Sequence, residues 1–204
     1  MSKLLNVSSS PHVRCGVSTK NLMYDVAIAM LPATIWGVMQ FGIYSLIVVV
    51  ATVLSCVLSE YLFETLMHKP VTISDGSALV TGMILGLNMP PAIPLWMPIL
   101  GGVFAIIVVK QLYGGLGQNW MNPALAARCF MLISFAQAMT KFTDPVTDAV
   151  ASATPLAAIK AGDTYDLAAM FIGKIPGTIG EVSVIALLIG AAYLLVKKVI
   201  TIRI

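Results

Sequence analysis

The sequence predicts an all-α, polytopic membrane protein, and three observations carry that prediction. Charged residues make up 10% of the 204 and hydrophobic ones 58%, whereas a soluble domain carries about 25% charge to keep its surface hydrated. The charges leave two long gaps, Asp25 to Glu60 and Asp75 to Lys110, each of 34 residues; a helix needs roughly 20 to cross the hydrocarbon core. Mean hydropathy is +0.92. A soluble enzyme is excluded on these grounds, and so is a signal peptide followed by a secreted domain.

Six spans follow in order. Leu22–Gln40 is the first, with Phe41-Gly42 as its turn, and Ile43–Met67 is the second, carrying Glu60 and Glu64 in its last turns. His68-Lys69-Pro70 closes it, because proline cannot continue a helix. Ser74 or Asp75 caps a shorter third helix to about Asn88, and Pro90-Pro91 breaks it. Leu95–Leu112 is the fourth span, with Trp96 at one end and Lys110 and Tyr113 as interface anchors at the other. A glycine-rich link (Gly114 to Asn119) leads to Asn122-Pro123, a helix cap followed by a first-turn proline. The fifth helix runs from Pro123 to about Met139, and Val182–Val196 forms the sixth.

The organisation is thus a cytoplasmic N-terminal segment (1–21), a five-helix membrane bundle (22–139), an extracytoplasmic loop (140–181) and the sixth span (182–204). With the N-terminus in the cytoplasm, Lys3, Arg14, Lys20, Lys69, Lys110, Lys197, Lys198 and Arg203 share that side, as the positive-inside rule asks. The loop holds Lys141, Lys160 and Lys174 against Asp144, Asp148, Asp163, Asp166 and Glu181. Six helices with glycine-broken elements, ending at Ile204 without a closing loop, are expected to belong to a larger bundle of the inverted-repeat kind. No internal repeat is evident within these residues.

Other chemistries are excluded by spacing. Cys15, Cys56 and Cys129 are far apart and His12 and His68 stand alone, so zinc, iron–sulfur and disulfide frameworks have no support. The net charge of +3 comes without basic runs interleaved with aromatics, so no nucleic acid is expected as a partner. What remains is membrane chemistry. Asp75 is a helix-start acid or an ion-path residue. Glu60 and Glu64, one turn apart on a single face, are a pair able to bind a cation together or, the reading preferred, a face turned to a partner subunit; Gly82-x-x-x-Gly86 reads as a close helix contact. Arg128 inside the fifth helix needs a carboxylate, phosphate or carbonyl partner, or snorkels to the interface. Broken backbone such as Gly114–Asn122, next to a helix N-terminus, is where ion or ligand sites are built in membranes. In the loop, Asp148-Ala149-Val150-Ala151-Ser152-Ala153-Thr154-Pro155 is a run of small residues ending in an accessible hydroxyl; by composition it is an exposed turn or a modification site.

Three motifs in order, Asp75-Gly76-Ser77-Ala78-Leu79-Val80-Thr81-Gly82 with Pro90-Pro91, Gly114-Gly115…Asn119…Asn122-Pro123-Ala124, and the loop run, resemble one family. It is that of the RnfD component of the Rnf ion-translocating ferredoxin:NAD oxidoreductase, related to the NqrB component of the sodium-pumping NADH:quinone oxidoreductase. The resemblance implies FMN held by a phosphoester on Thr154, with Asp148 and Ala153 in matching positions; Ala151 and Ser152 depart from the family's Ser/Thr and Gly. It also implies a non-covalent riboflavin in the bundle near Asn119, Asn122 and Arg128. The implied protein is an electron-carrying subunit of a translocase that moves Na⁺ or H⁺ across a prokaryotic inner membrane. Its partners would be a second FMN-carrying subunit, iron–sulfur subunits and membrane lipid. The rival expectations are a secondary transporter or channel half, with its path at Asp75 and the Gly114–Asn122 break, and a scaffold.

Overall fold

The computed structural model describes residues 18–143, 150–151, 159–160 and 167–201. Its main elements are α1 (Thr19–Phe41), α2 (Ile43–Leu66), α3 (Ser77–Leu87), α4 (Trp96–Val103), α5 (Pro123–Ser134) and α6 (Val184–Val196). Ser18 caps α1 by accepting from the Asn21 N–H, and Gly42, at a φ of +82°, reverses the chain into α2. After α4 the helix continues as a π-helix over Phe104–Lys110 and a 3₁₀ turn over Gln111–Tyr113, which Gly114 ends at a φ of +113°.

Three helical stretches are long and apolar enough to cross a membrane: Thr19–Phe41, Ile43–Leu66 and Trp96–Tyr113. The other three expected spans are shorter. α3, α5 and α6 have 11, 12 and 13 residues, roughly 17–20 Å at 1.5 Å per residue, against a hydrocarbon core of about 30 Å. Each is therefore too short to cross that core as helix alone. Pro90 and Pro91 stop α3, and α5 breaks at Phe135 before a single turn, Ala136–Met139. A two-residue antiparallel pair, Phe142–Thr143 with Val150–Ala151, is the one piece of sheet among the described residues.

The end of the expected outer loop folds back into the bundle. The Ile179 N–H donates to the Met89 carbonyl at 3.1 Å and the Gly180 N–H to that of Leu87 at 2.8 Å. Those carbonyls belong to the broken end of α3, and unpaired backbone inside a membrane protein must find donors. Thr178, Ile179 and Gly180 are buried there.

α2 lies at the centre against α3 and α4, while α1 packs on α3 and α6. The expected glycine contact is present: a Cβ on Gly82 would stand 2.6 Å from the Val53 Cα, and one on Gly86 would stand 3.0 Å from the Val49 Cα. Val48, Val49, Leu85, Leu87, Met89, Ile93, Ala127, Met131 and Ile179 form the main core. The buried face of α2 also carries Ser45, Thr52, Ser55, Cys56, Ser59, Glu60 and Glu64, while Leu54, Leu58 and Leu62 point outward. This is the polarity expected when the surroundings are lipid rather than water.

Candidate functional site

A buried polar cluster joins α2, the start of α3 and the end of the π-helix. Glu60, Glu64, Lys110, Gln111 and Ser77 are each at most 3% exposed. The Lys110 ammonium lies 2.6 Å from Glu60 Oε1 and donates equally closely to Ser77 Oγ. Gln111 Nε2 bridges the two glutamates, at 3.0 Å from Glu60 Oε1 and 3.1 Å from Glu64 Oε1. Glu64 is completed by the Thr72 N–H and hydroxyl. Asp75 Oδ1 accepts from the Ser77 N–H at 2.7 Å and the Ser77 hydroxyl at 2.6 Å, so it occupies the first N–H of α3 and joins the cluster through Ser77, while the N-cap expected at Ser74 or Asp75 falls on Gly76.

Two expectations are corrected here. Glu60 and Glu64 face the interior and not a partner surface, because Lys110, Gln111 and Thr72 give their oxygens donors that lipid cannot. Lys110 is no interface anchor either. The wider turn of the π-helix ends on Lys110 and Gln111, both buried toward α2, and π-helical segments are frequent at functional sites.

The structure brings Asn119 and Asn122 to one place. Both line a cavity of about 470 Å³ whose wall includes Met23, Ser77, Lys110, Met121 and Pro123. Asn122 Oδ1 caps α5 by accepting from Ala124 and Leu125, and Asn119 Nδ2 donates to the Met121 carbonyl. This leaves Asn119 Oδ1 and Asn122 Nδ2 free among the described residues. Arg128 is elsewhere: it donates to Asn88 Oδ1 at 2.6 Å and to Glu181 Oε1 at 3.0 Å. It does not line the asparagine cavity, and it ties the folded-back segment to the end of α3. Asp25, half-buried in α1, accepts from the Tyr193 hydroxyl at 2.9 Å and so fastens α6. Thr154, Asp148, Ser152 and Ala153 lie outside the described residues.

The cluster and the asparagine cavity share Ser77 and Lys110, which belong to both. Residues 6–204 match the model of the NQR2, RnfD, RnfE family. The chain belongs to that family. Among its relatives, the D component of the Na(+)-translocating ferredoxin:NAD(+) oxidoreductase complex of Acetobacterium woodii is 47% identical, covering 98% of this chain and 65% of the relative. The D component of the proton-translocating ferredoxin:NAD(+) oxidoreductase complex of Clostridium ljungdahlii is 41% identical, covering 97% and 64%. The D component of the ion-translocating oxidoreductase complex of Rhodobacter capsulatus is 32% identical, covering 95% and 64%. The chain thus spans just under two thirds of the length of these relatives. As a family member with three long apolar helical stretches, it is a multi-pass membrane protein.

The buried cluster is not apparent from the order of residues alone, although one signal for it exists. Ser45, Thr52, Ser55, Ser59, Glu60 and Glu64 recur mostly at three- and four-residue steps along an otherwise leucine- and valine-rich span. In lipid that stripe marks the inward face.

Proposed function

We propose that this chain is the membrane subunit of an Rnf-type translocase, coupling electron transfer to the movement of Na⁺ or H⁺ and carrying FMN on Thr154. The observation that carries the reading is the family match over residues 6–204 with the Asp148-x-x-Ala151-Ser152-Ala153-Thr154 run inside it. The relatives' names supply the coarser part, an ion-translocating ferredoxin:NAD⁺ oxidoreductase complex with other subunits as partners. A prokaryotic inner membrane, a cytoplasmic N-terminus and an outward flavin loop complete it. The basic residues support that orientation even with Lys110 removed from the count, since Lys20, Lys69, Lys197 and Lys198 are all exposed.

A bound isoalloxazine supplies one- and two-electron chemistry, and the protein supplies position and electrostatics. Thr154 would hold the phosphoester; Ala151 and Ser152 keep its hydroxyl accessible because both are small. For the second flavin, the asparagine cavity offers a fit. Its volume of about 470 Å³ lies in the range of cofactor sites. Asn119 Oδ1 and Asn122 Nδ2 are a free acceptor and a free donor for a ring edge, and Lys110 and Ser77 add polarity at the wall. Arg128 has no part in that pocket.

The test is covalent flavin itself. Denatured wild-type protein should fluoresce on a gel and carry the mass increment of an FMN ester, while Thr154→Ala should lose both and still insert. A wild-type chain without the increment, purified from its own complex, overturns the electron-carrying reading. The channel-half reading then gains, with the Asp75 cluster as its path.

A further inference from the structure

We propose that the groove between α1, α3 and α6 is a site for an anionic phospholipid, with one acyl chain along the groove and the phosphate on Lys197 and Lys198. The groove holds about 340 Å³, and its lining is mostly apolar, with Ala29 and Ala33 from α1, Ile84 from α3, and Gly190 and Ala191 from α6. It reaches from Ile200, just past the end of α6, to Asn88 and Glu181 beside the broken end of α3. Those two polar side chains are already held by Arg128. The helices meet backbone to backbone beside the groove, where a Cβ on Gly190 would stand 2.3 Å from the Ala29 carbonyl oxygen. One turn of helix, a cylinder about 10 Å wide and 5.4 Å long, occupies roughly 420 Å³. The groove is smaller than that, so it admits a slender chain and not a helix.

The mouth at Ile200 is basic. Lys197 and Lys198 are exposed and lie between Leu194 and Ile200, which both line the groove. Lys197 Nζ is 4.0 Å from Asp25 Oδ1, the oxygen that also accepts from the Tyr193 hydroxyl, and 5.8 Å from the Tyr193 ring. Lys20, exposed at the start of α1 and 5.9 Å from the Tyr24 ring, brings a third ammonium to this end. Three lysines against one carboxylate leave an excess of two positive charges among the described residues. Each lysine near a membrane surface gains from anionic lipid, and tyrosines settle at headgroup level. The backbone adds a second observation. The Lys198 N–H donates to the Leu195 carbonyl and the Val199 N–H to that of Leu194, both at 3.0 Å, which is a Schellman ending. Lys198 holds its left-handed position at a φ of +57°, where glycine fits without strain. What lysine has there and glycine lacks is an ammonium, and the turn carries Ile200 back to the groove.

Charge and shape together select the occupant. An acidic protein partner would engage the lysines and leave the groove empty, and a further helix would cover the groove without needing the lysines. A zwitterionic lipid would fill the groove but carry its own cation to an already basic mouth. A lipid with an apolar tail and a net negative headgroup satisfies both ends. Bound there, it would join α1 to α6 along the groove, beside the fastening that Asp25 and Tyr193 provide. The choice of leaflet rests on the orientation proposed above; the site itself involves neither electron transfer nor the Thr154 loop.

The measurement is photolabelling of the full-length protein in its complex, in phosphatidylcholine nanodiscs. The probe is a trace of phosphatidylglycerol, or of phosphatidylcholine, carrying a diazirine on one acyl chain. Phosphatidylglycerol should label peptides covering residues 29–33 and 187–194, roughly tenfold more than phosphatidylcholine does. Lys197→Gln with Lys198→Gln should bring the two lipids level, while Lys197→Arg with Lys198→Arg should keep the preference. Ala191→Phe should remove the label with both lysines in place. Lys198→Gly separates binding from structure: without the strain at this position the unfolding temperature in neutral lipid should rise, yet phosphatidylglycerol labelling should fall severalfold. The lysine variants change exposed side chains only, so the test stands if Ala191→Phe does not fold. Equal labelling by the two lipids, a preference that survives the glutamine pair, or a groove left unlabelled because protein covers it overturns the proposal. Gel fluorescence of the same samples reports on Thr154 separately, so failure of the flavin reading and failure of the lipid site are distinguishable.

Discussion

At the residue scale, the Glu60–Lys110 pair is a feature whose value depends on keeping both members. Both groups are nearly fully buried and 2.6 Å apart. A pair of this kind contributes little net stability, because desolvation offsets the attraction; deleting one partner strands the other charge and costs about 3–5 kcal/mol. Lys110→Met should therefore be much less stable than wild type, while Glu60→Gln with Lys110→Met should recover most of the loss. Chemical denaturation of the four proteins in a double-mutant cycle measures this. Asn122 is the other residue with two duties, capping α5 through Oδ1 and offering Nδ2 to the cavity. Asn122→Asp should keep the cap and lose the cavity donor, whereas Asn122→Ala should lose both and about 1 kcal/mol of stability. Non-covalent flavin content after mild extraction separates the two variants from wild type only if the cavity is the binding site.

At the element scale, α2 and α3 approach closely because Gly82 and Gly86 present no side chain to Val53 and Val49. Without a hydrophobic driving force between helices in lipid, such contact comes from small residues and dispersion. Gly82→Leu would push against the α2 backbone and should cost roughly 1–3 kcal/mol. It should also weaken the Lys110–Glu60 site, whose Ser77 partner sits at the start of the same α3. Chemical denaturation should show the loss of stability in this variant. Gly82→Ala, with only one methyl against Val53, should show a smaller loss.

At the scale of the whole molecule, three partial spans are held by contacts that cross between elements. Arg128 on α5 joins Asn88, which follows α3, to Glu181 in the folded-back segment. The backbone of Ile179 and Gly180 closes the broken α3 end. The Arg128–Glu181 pair is partly exposed, at 36% and 53% of the two side chains, so screening keeps its contribution below about 1 kcal/mol. Arg128→Ala should leave the unfolding temperature almost unchanged. Amide exchange at Ile179 and Gly180 should nevertheless accelerate several-fold, because local opening draws on less than the global stability. Unchanged exchange there would mean that the backbone bonds and the buried Ile179 side chain hold the segment without the arginine.

Scarce charge and two 34-residue gaps were enough to establish a helical membrane protein, since burying a lysine or an aspartate in lipid is costly wherever it falls. Most helix limits were legible too: Gly42, Pro90-Pro91, Gly114 and Asn122-Pro123 each impose a backbone constraint that acts locally. The family match agrees with the resemblance read from three motifs. The depth reached by each helix and the direction of each charged side chain were not legible. Lys110 reads as an anchor beside Tyr113 at the end of a span, and only the π-helix and the packing of α2 turn it inward. Likewise residues 178–180 read as loop until Leu87 and Met89 present unpaired carbonyls to them. Composition determined the medium the chain lives in, because transfer free energy is summed residue by residue. Tertiary structure decided which polar groups meet, because a hydrogen bond at 2.6 Å depends on elements that the sequence separates by 50 residues.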